Sequence, residues 1–290
     1  MGGMPATVLV MVDQAAGTFA LADPAQPQLS VLDLGATRGD GIFEGISVGF
    51  GKPQAFEHHL RRFANSAAAL DLPEPDHDLW AAACHAAIAE LDPADEAWLK
   101  VVMTRGVEGG DGAPTGWVYA AHSSDFTAAR TEGVRVVLLD RGYRHDVERT
   151  SPWLLQGAKT LSYAVNKSVF REAKRRGADD VVFVSSDGYL LEGPSSTLVY
   201  RRGDELITPG TGLGILDGTT QANVFRFAEQ RGLRTGFALE TPDAVKASDA
   251  AWLVSSVRHA APIRAIDGVE HPVDADFTAD LNEYLRTLED

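Results

Sequence analysis

Strand-like and helix-like segments do not alternate regularly along this 290-residue chain. TVLVMV and GTFALA, joined by a turn containing DQAAG, read as two strands before any helix is reached. GDGIFEGISVGF is again strand-like and is punctuated by Gly51-Lys52-Pro53. Two helices follow. AFEHHLRRFANSAAAL puts Phe56, Leu60, Phe63, Ala67 and Leu70 on one face, and DLWAAACHAAIAEL has apolar positions at helical spacing. AWLKVVMTRG, GWVYAAH and GVRVVLLD then read as strands completing a small α/β unit. A doubly wound parallel sheet needs strict βαβ alternation, so this order points instead to a mixed α+β chain in two lobes.

The lobes are divided by RGYRHDVERTSPW, Arg141 to Trp153, which is polar and without period and reads as an interdomain linker. Residues 1–140 then form a small N-terminal α/β domain and 154–290 a larger C-terminal α+β domain. The second begins with a helix from about Leu161, with Leu161, Val165, Val169 and Ala173 on its buried face. Arg171, Lys174, Arg175 and Arg176 suit the negative end of its dipole, and Gly177 stops it. DDVVFVSSDGYLLEG reads as a hairpin around Asp187-Gly188 running on into SSTLVY. ELITPG and DAAWLVSS are further strands, and TTQANVFRFAEQRG is a helix.

Several function classes are disfavoured. A net charge of −15 repels phosphate backbones and anionic lipid, which argues against nucleic-acid and membrane partners. No apolar run approaches the roughly 20 residues of a membrane span, and no basic stretch precedes the first apolar segment, so a cytoplasmic protein is expected. The single cysteine, Cys84, reads as a small core hydrophobe. His58 and His59 are adjacent and would point about 100° apart on a helix, so they cannot share an ion. Both read as solvated, and no metal site is expected. There is no Gly-x-Ser-x-Gly elbow, which disfavours a serine hydrolase.

Chemistry gathers around one lysine. In LLQGAKTLSYAVNK, Lys159 stands among small and apolar residues, where a lysine is out of place unless it snorkels. Across a helix and a hairpin, DGYLLEGPSSTLVY carries Glu192 at the end of an apolar run. The two could be a plain ion pair, but buried pairs recover their desolvation poorly. A lysine that loses its proton readily is an amine nucleophile for Schiff-base chemistry, and a fixed carboxylate can keep a pyridine nitrogen protonated. PGTGLGILDGTTQANVF runs from a Gly-rich loop into a helix start at Thr219 and Thr220, which would serve as N-caps or as a phosphate seat. Amine, carboxylate and phosphate seat are the requirements of pyridoxal 5′-phosphate.

These motifs, in this order, resemble the class IV (fold-type IV) pyridoxal-phosphate enzymes, which include branched-chain and D-amino-acid aminotransferases and aminodeoxychorismate lyases. The resemblance runs from RGDGIFEGI to SSVRHAAPI. It implies a two-domain α+β fold with the cofactor between the domains, and a homodimer. It makes Lys159 the cofactor lysine and Glu192 the partner of the ring nitrogen, and it places Tyr163 one helical turn on, near the ring. FEHHLRRFANSA puts the phosphate arginine at Arg62, ILDGTTQANV puts phosphate contacts at Thr219 and Thr220, and WLVSSVRHAAPI adds Ser255 and Ser256. Thr197 and Gln221 depart from the family's usual Asn and Arg. After Arg105-Gly106, Asp111 stands where the lyase and D-amino-acid branches carry a substrate-binding arginine, so Arg38, Phe43, Arg105 and Arg258 are the substrate candidates. The implied activity is amino transfer between an amino acid and a 2-oxo acid. Aminodeoxychorismate lyase is the alternative, and a non-catalytic binding protein on the same fold is a remote third.

Overall fold

Hydrogen bonding gathers the strands into two sheets that share no strand, in a computed structural model that describes residues 5–288. The chain divides accordingly into two units, one comprising the residues up to Ser124 with Ala158–Tyr163, the other Asp125–Gly157 with Ala164–Arg286.

The first unit holds β1 (Thr7–Asp13), β2 (Thr18–Ala22), α1 (Leu34–Arg38), β3 (Gly41–Gly49), β4 (Lys52–Pro53), α2 (Phe56–Ala69), α3 (His77–Glu90), β5 (Glu96–Thr104) and β6 (Thr115–His122). Its sheet runs β2-β1-β6-β5-β3-β4, antiparallel throughout. α2 packs on β3, and α3 on β1 and β6, burying Val10, Ile46, Leu99 and Val118 beneath Phe63 and Trp80. Gly116 lies directly under Trp80, where a Cβ would come within 2.8 Å of the indole. Cys84 is buried in α3 as expected, and burial pushes its thiol up to about 12. The later segment Ala158–Tyr163 joins this unit by pairing with the start of β3. The Phe43 N–H donates to the Lys159 carbonyl (3.0 Å), and the Leu161 N–H to the Gly41 carbonyl (2.8 Å).

The second unit holds α4 (Thr127–Thr131), β7 (Val134–Asp140), α5 (Val147–Thr150), α6 (Ala164–Arg175), β8 (Asp180–Val184), β9 (Thr197–Arg202), β10 (Glu205–Pro209), α7 (Thr219–Gln230), β11 (Arg234–Ala238), α8 (Pro242–Lys246), β12 (Ala250–Ser255), β13 (His259–Ile266), β14 (Val269–Glu270) and α9 (Ala275–Arg286). The sheet order is β11-β10-β9-β12-β13-β7-β8, with β14 on β13. It is buried on both faces: Leu198, Tyr200 and Leu253 enter one core, Val199, Trp252 and Val254 the other. That two-sided burial explains why its central strands read as unbroken apolar runs.

Three readings of the sequence change. GVRVVLLD is β7, which pairs in parallel with β8 and β13 and so belongs to the second sheet, not the first. Residues 141–153, read as a linker, lie inside the second unit, where α5 falls. The helix expected from Leu161 begins at Ala164, because the preceding residues are drawn out along β3; Val165 is 59% exposed and faces no core. No helix among the described residues is long and apolar enough to cross a membrane.

Candidate active site

In the first unit, the pairing of Ala158–Tyr163 with β3 fixes the backbone of Lys159 on both sides. Its carbonyl accepts from Phe43, and its N–H donates to Ser66 Oγ on α2 (3.1 Å). The Lys159 side chain is half-buried, with Nζ 4.7 Å from the centre of the Phe43 ring. Tyr163 meets the same ring edge-on at 5.5 Å, so Phe43, Lys159 and Tyr163 form one cluster. Tyr163 precedes α6 and does not lie one helical turn beyond Lys159 on it.

Arg62, on the buried face of α2, is held by a residue that the sequence reading passed over. Glu44 of β3, 1% exposed, accepts from Arg62 Nε (2.7 Å) and Nη2 (2.6 Å), and its Oε2 lies 2.8 Å from His59 Nδ1. Burial pushes the Glu44 carboxyl up, but the Arg62 charge and hydrogen bonds, with the His59 hydrogen bond, more than offset it and hold it well below the usual carboxylate range. An ionised carboxylate only accepts, so His59 Nδ1 is the donor. Burial lowers the His59 value, against the pull of Glu44. The solvated reading of His59 is therefore overturned: it is 0% exposed. Its neighbour His58 is half-buried.

In the second unit, Glu192 follows the turn after β8. Its carbonyl accepts from the Phe183 N–H (2.9 Å), and its Oε2 accepts from the Leu216 N–H (3.2 Å). That bond ties the carboxylate to the loop leading into α7. The first turn of α7 holds Thr219 and Thr220, both buried, and its N-cap is Gly218, with no side chain capping the end. A Cβ on Gly218 would come within 2.5 Å of Thr197 Oγ1, so only glycine lets the loop lie this close to β9. Thr219 Oγ1 lies 3.3 Å from Ser256 Oγ. Ser255 ends β12 and pairs with His259 across the turn. The unit thus brings Thr219, Thr220, Ser255 and Ser256 to one end of α7, a set of hydroxyls and helix amides suited to an anion.

The substrate candidates differ in their surroundings. Arg105 is tied to Asp40 (Nε to Oδ2, 2.7 Å) and to the carbonyls of Leu70 and Asp71, which secures the end of α2. Arg258 donates through Nη1 to the buried Asp180 (2.7 Å), while Arg130 donates to the Val257 and Arg258 carbonyls, so the turn after Ser256 is fixed from within the unit. Arg38 is exposed at the last turn of α1.

A sequence profile of the family described as amino-transferase class IV matches residues 41–266. A bifunctional aminodeoxychorismate lyase / D-amino acid transaminase of Mycobacterium tuberculosis is 43% identical over 260 residues, covering 86% of this chain and 89% of that protein. Among solved structures, a fold IV-transaminase from Curtobacterium pusillum is 52% identical with a TM-score of 0.94, covering 97% of this chain and 98% of that one. A hypothetical aminotransferase from Mycobacterium tuberculosis, in an alpha-ketoglutarate and PMP bound form, is 40% identical with a TM-score of 0.91, covering 96% and 98%.

Proposed function

Because this chain belongs to the class IV aminotransferases and has the α+β fold of the fold IV transaminases, we propose that it moves an amino group between an amino acid and a 2-oxo acid on pyridoxal 5′-phosphate. The observation that carries this is the family match over residues 41–266, which spans Lys159, Glu192 and the start of α7. The donor set supports the cofactor. Hydroxyls of Thr219 and Ser256 face each other at a helix start with no side-chain cap, and a carboxylate is tied to the loop that leads there.

Bound cofactor supplies a conjugated, electron-withdrawing ring. The chain's own residues do the rest. Lys159 Nζ would tether the cofactor aldehyde and, once displaced by substrate, would be the base that takes the Cα proton and delivers it to the C4′ carbon of the cofactor. Glu192, oriented by the Leu216 N–H, keeps the ring nitrogen protonated. Arg62, Thr219, Thr220, Ser255 and Ser256 hold the phosphate. Phe43 borders the Lys159 amine, and Tyr163 packs edge-on against Phe43. Arg105 is held by Asp40 and the Leu70 and Asp71 carbonyls. Arg258 meets Asp180 through Nη1 alone and keeps Nε and Nη2 without a hydrogen-bond partner, so Arg38 and Arg258 are the candidates for the substrate carboxylate. Homodimerisation and cytoplasmic residence belong to the same proposal, with light scattering and cell fractionation as their tests.

The name of the Mycobacterium tuberculosis relative joins two activities, which favours a second reading, aminodeoxychorismate lyase. Incubation with aminodeoxychorismate separates the two. Pyruvate and 4-aminobenzoate released without an amino acceptor identify the lyase, and oxo-acid-dependent amine exchange identifies the transferase. Lys159→Ala is expected to abolish either activity and the visible absorbance of the loaded protein; a Lys159→Ala protein that turns over normally would end the proposal.

A further inference from the structure

His59, Arg62 and Ser66 recur at intervals of three and four residues on α2, so they share one helix face. All three are buried. Two of them close on a single carboxylate: Glu44 receives Arg62 through a two-pronged fork at 2.7 and 2.6 Å, and His59 at 2.8 Å. The third, Ser66, takes the main-chain N–H of Lys159. Burying a carboxylate against a guanidinium stabilises a core no better than apolar side chains of the same volume. What the fork does supply is direction, since two parallel hydrogen bonds fix the plane of a guanidinium where one would let it swing.

Resting on the reading that Arg62 takes the cofactor phosphate, we propose that Glu44 is a positioning residue, which aims the Arg62 guanidinium at that phosphate while His59 holds the carboxylate in place. Glu44 acts only through Arg62. Its loss is therefore felt by a ligand that carries a phosphate and not by one that lacks it.

The test compares pyridoxal 5′-phosphate with pyridoxal, its dephosphorylated form, in absorbance titrations of the full chain stripped of cofactor. The unaltered chain is expected to prefer the phosphorylated form. Glu44→Gln should weaken pyridoxal 5′-phosphate by about tenfold or more, as losing charge-assisted hydrogen bonds implies, and leave pyridoxal unchanged. Because Glu44→Gln leaves Arg62 buried without its counter-charge, Glu44→Asp is the second variant: it keeps the charge, withdraws the fork and should lose part of the same preference. Adding Glu44→Gln to Arg62→Met should cost no further preference, since the two act as one unit. A full phosphate preference in both Glu44 variants, or an equal loss for both ligands, overturns the inference alone. An unaltered chain with no phosphate preference overturns the reading of Arg62 and this inference with it.

Discussion

His59 holds a second ring proton less tightly in the fold than in the unfolded chain, and that difference sets a pH dependence. Burial holds its value below the ordinary 6.5 despite the attraction of Glu44. A depressed folded value means that its contribution to stability is fully present above 6.5 and is lost as pH falls from there toward the folded value. The slope it can add is at most about 1.4 kcal/mol per pH unit. Glu44 acts in the same sense further down, because its folded value lies below the ordinary 4.5. Thermal denaturation between pH 7 and pH 5 should therefore show a falling midpoint, and His59→Gln, which keeps a donor but does not titrate there, should flatten the fall. An identical fall in the variant would remove His59 from the account. The sequence made Lys159 legible because a lysine between Ala158 and Thr160 breaks a local rule. Glu44 broke none: it sits mid-strand in GIFEGI, and what buries it is a pair of side chains 15 and 18 residues away on another element.

The start of α7 shows what an element can and cannot reveal in advance. Its glycine-rich approach and paired threonines marked a helix N-terminus, and the helix begins at Thr219. Nothing local said that Gly218 lies against β9. A Cβ there would meet Thr197 Oγ1 at 2.5 Å and Gln221 Cβ at 3.0 Å, so Gly218→Ala should shift the first turn and destabilise the protein by about 1–3 kcal/mol, the range for overpacking. Removing the hydroxyl with Thr197→Ala clears the closest contact, and the double variant should recover part of that loss. Equal melting temperatures for Gly218→Ala with and without Thr197→Ala would show that the close approach is not what demands glycine. Strands of the second sheet were legible singly for the same local reason, yet β7 was assigned to the wrong sheet. Its neighbours β8 and β13 lie far along the chain and pair in parallel, an arrangement that no hairpin signal announces.

Across the whole molecule, the chain leaves the first unit after Ser124, returns for Ala158–Tyr163 and leaves again. Sequence periodicity reads the end of the second passage as the opening of a helix, since Leu161 happens to fit the α6 spacing. The hydrogen bonds decide otherwise: Phe43 to Lys159, Leu161 to Gly41 and Lys159 to Ser66 tie the segment to β3 and α2. A segment bonded this way opens with the unit it is bonded to, not with its neighbours in sequence. Native-state hydrogen exchange should accordingly show the Leu161 amide opening with those of β3, with similar free energies and the same denaturant dependence, and more slowly than that of Leu155 in the second unit. If Leu161 instead exchanges together with Leu155, the segment carrying Lys159 is held by its sequence neighbours, and the two-way backbone clamp on that lysine is not what presents its amine.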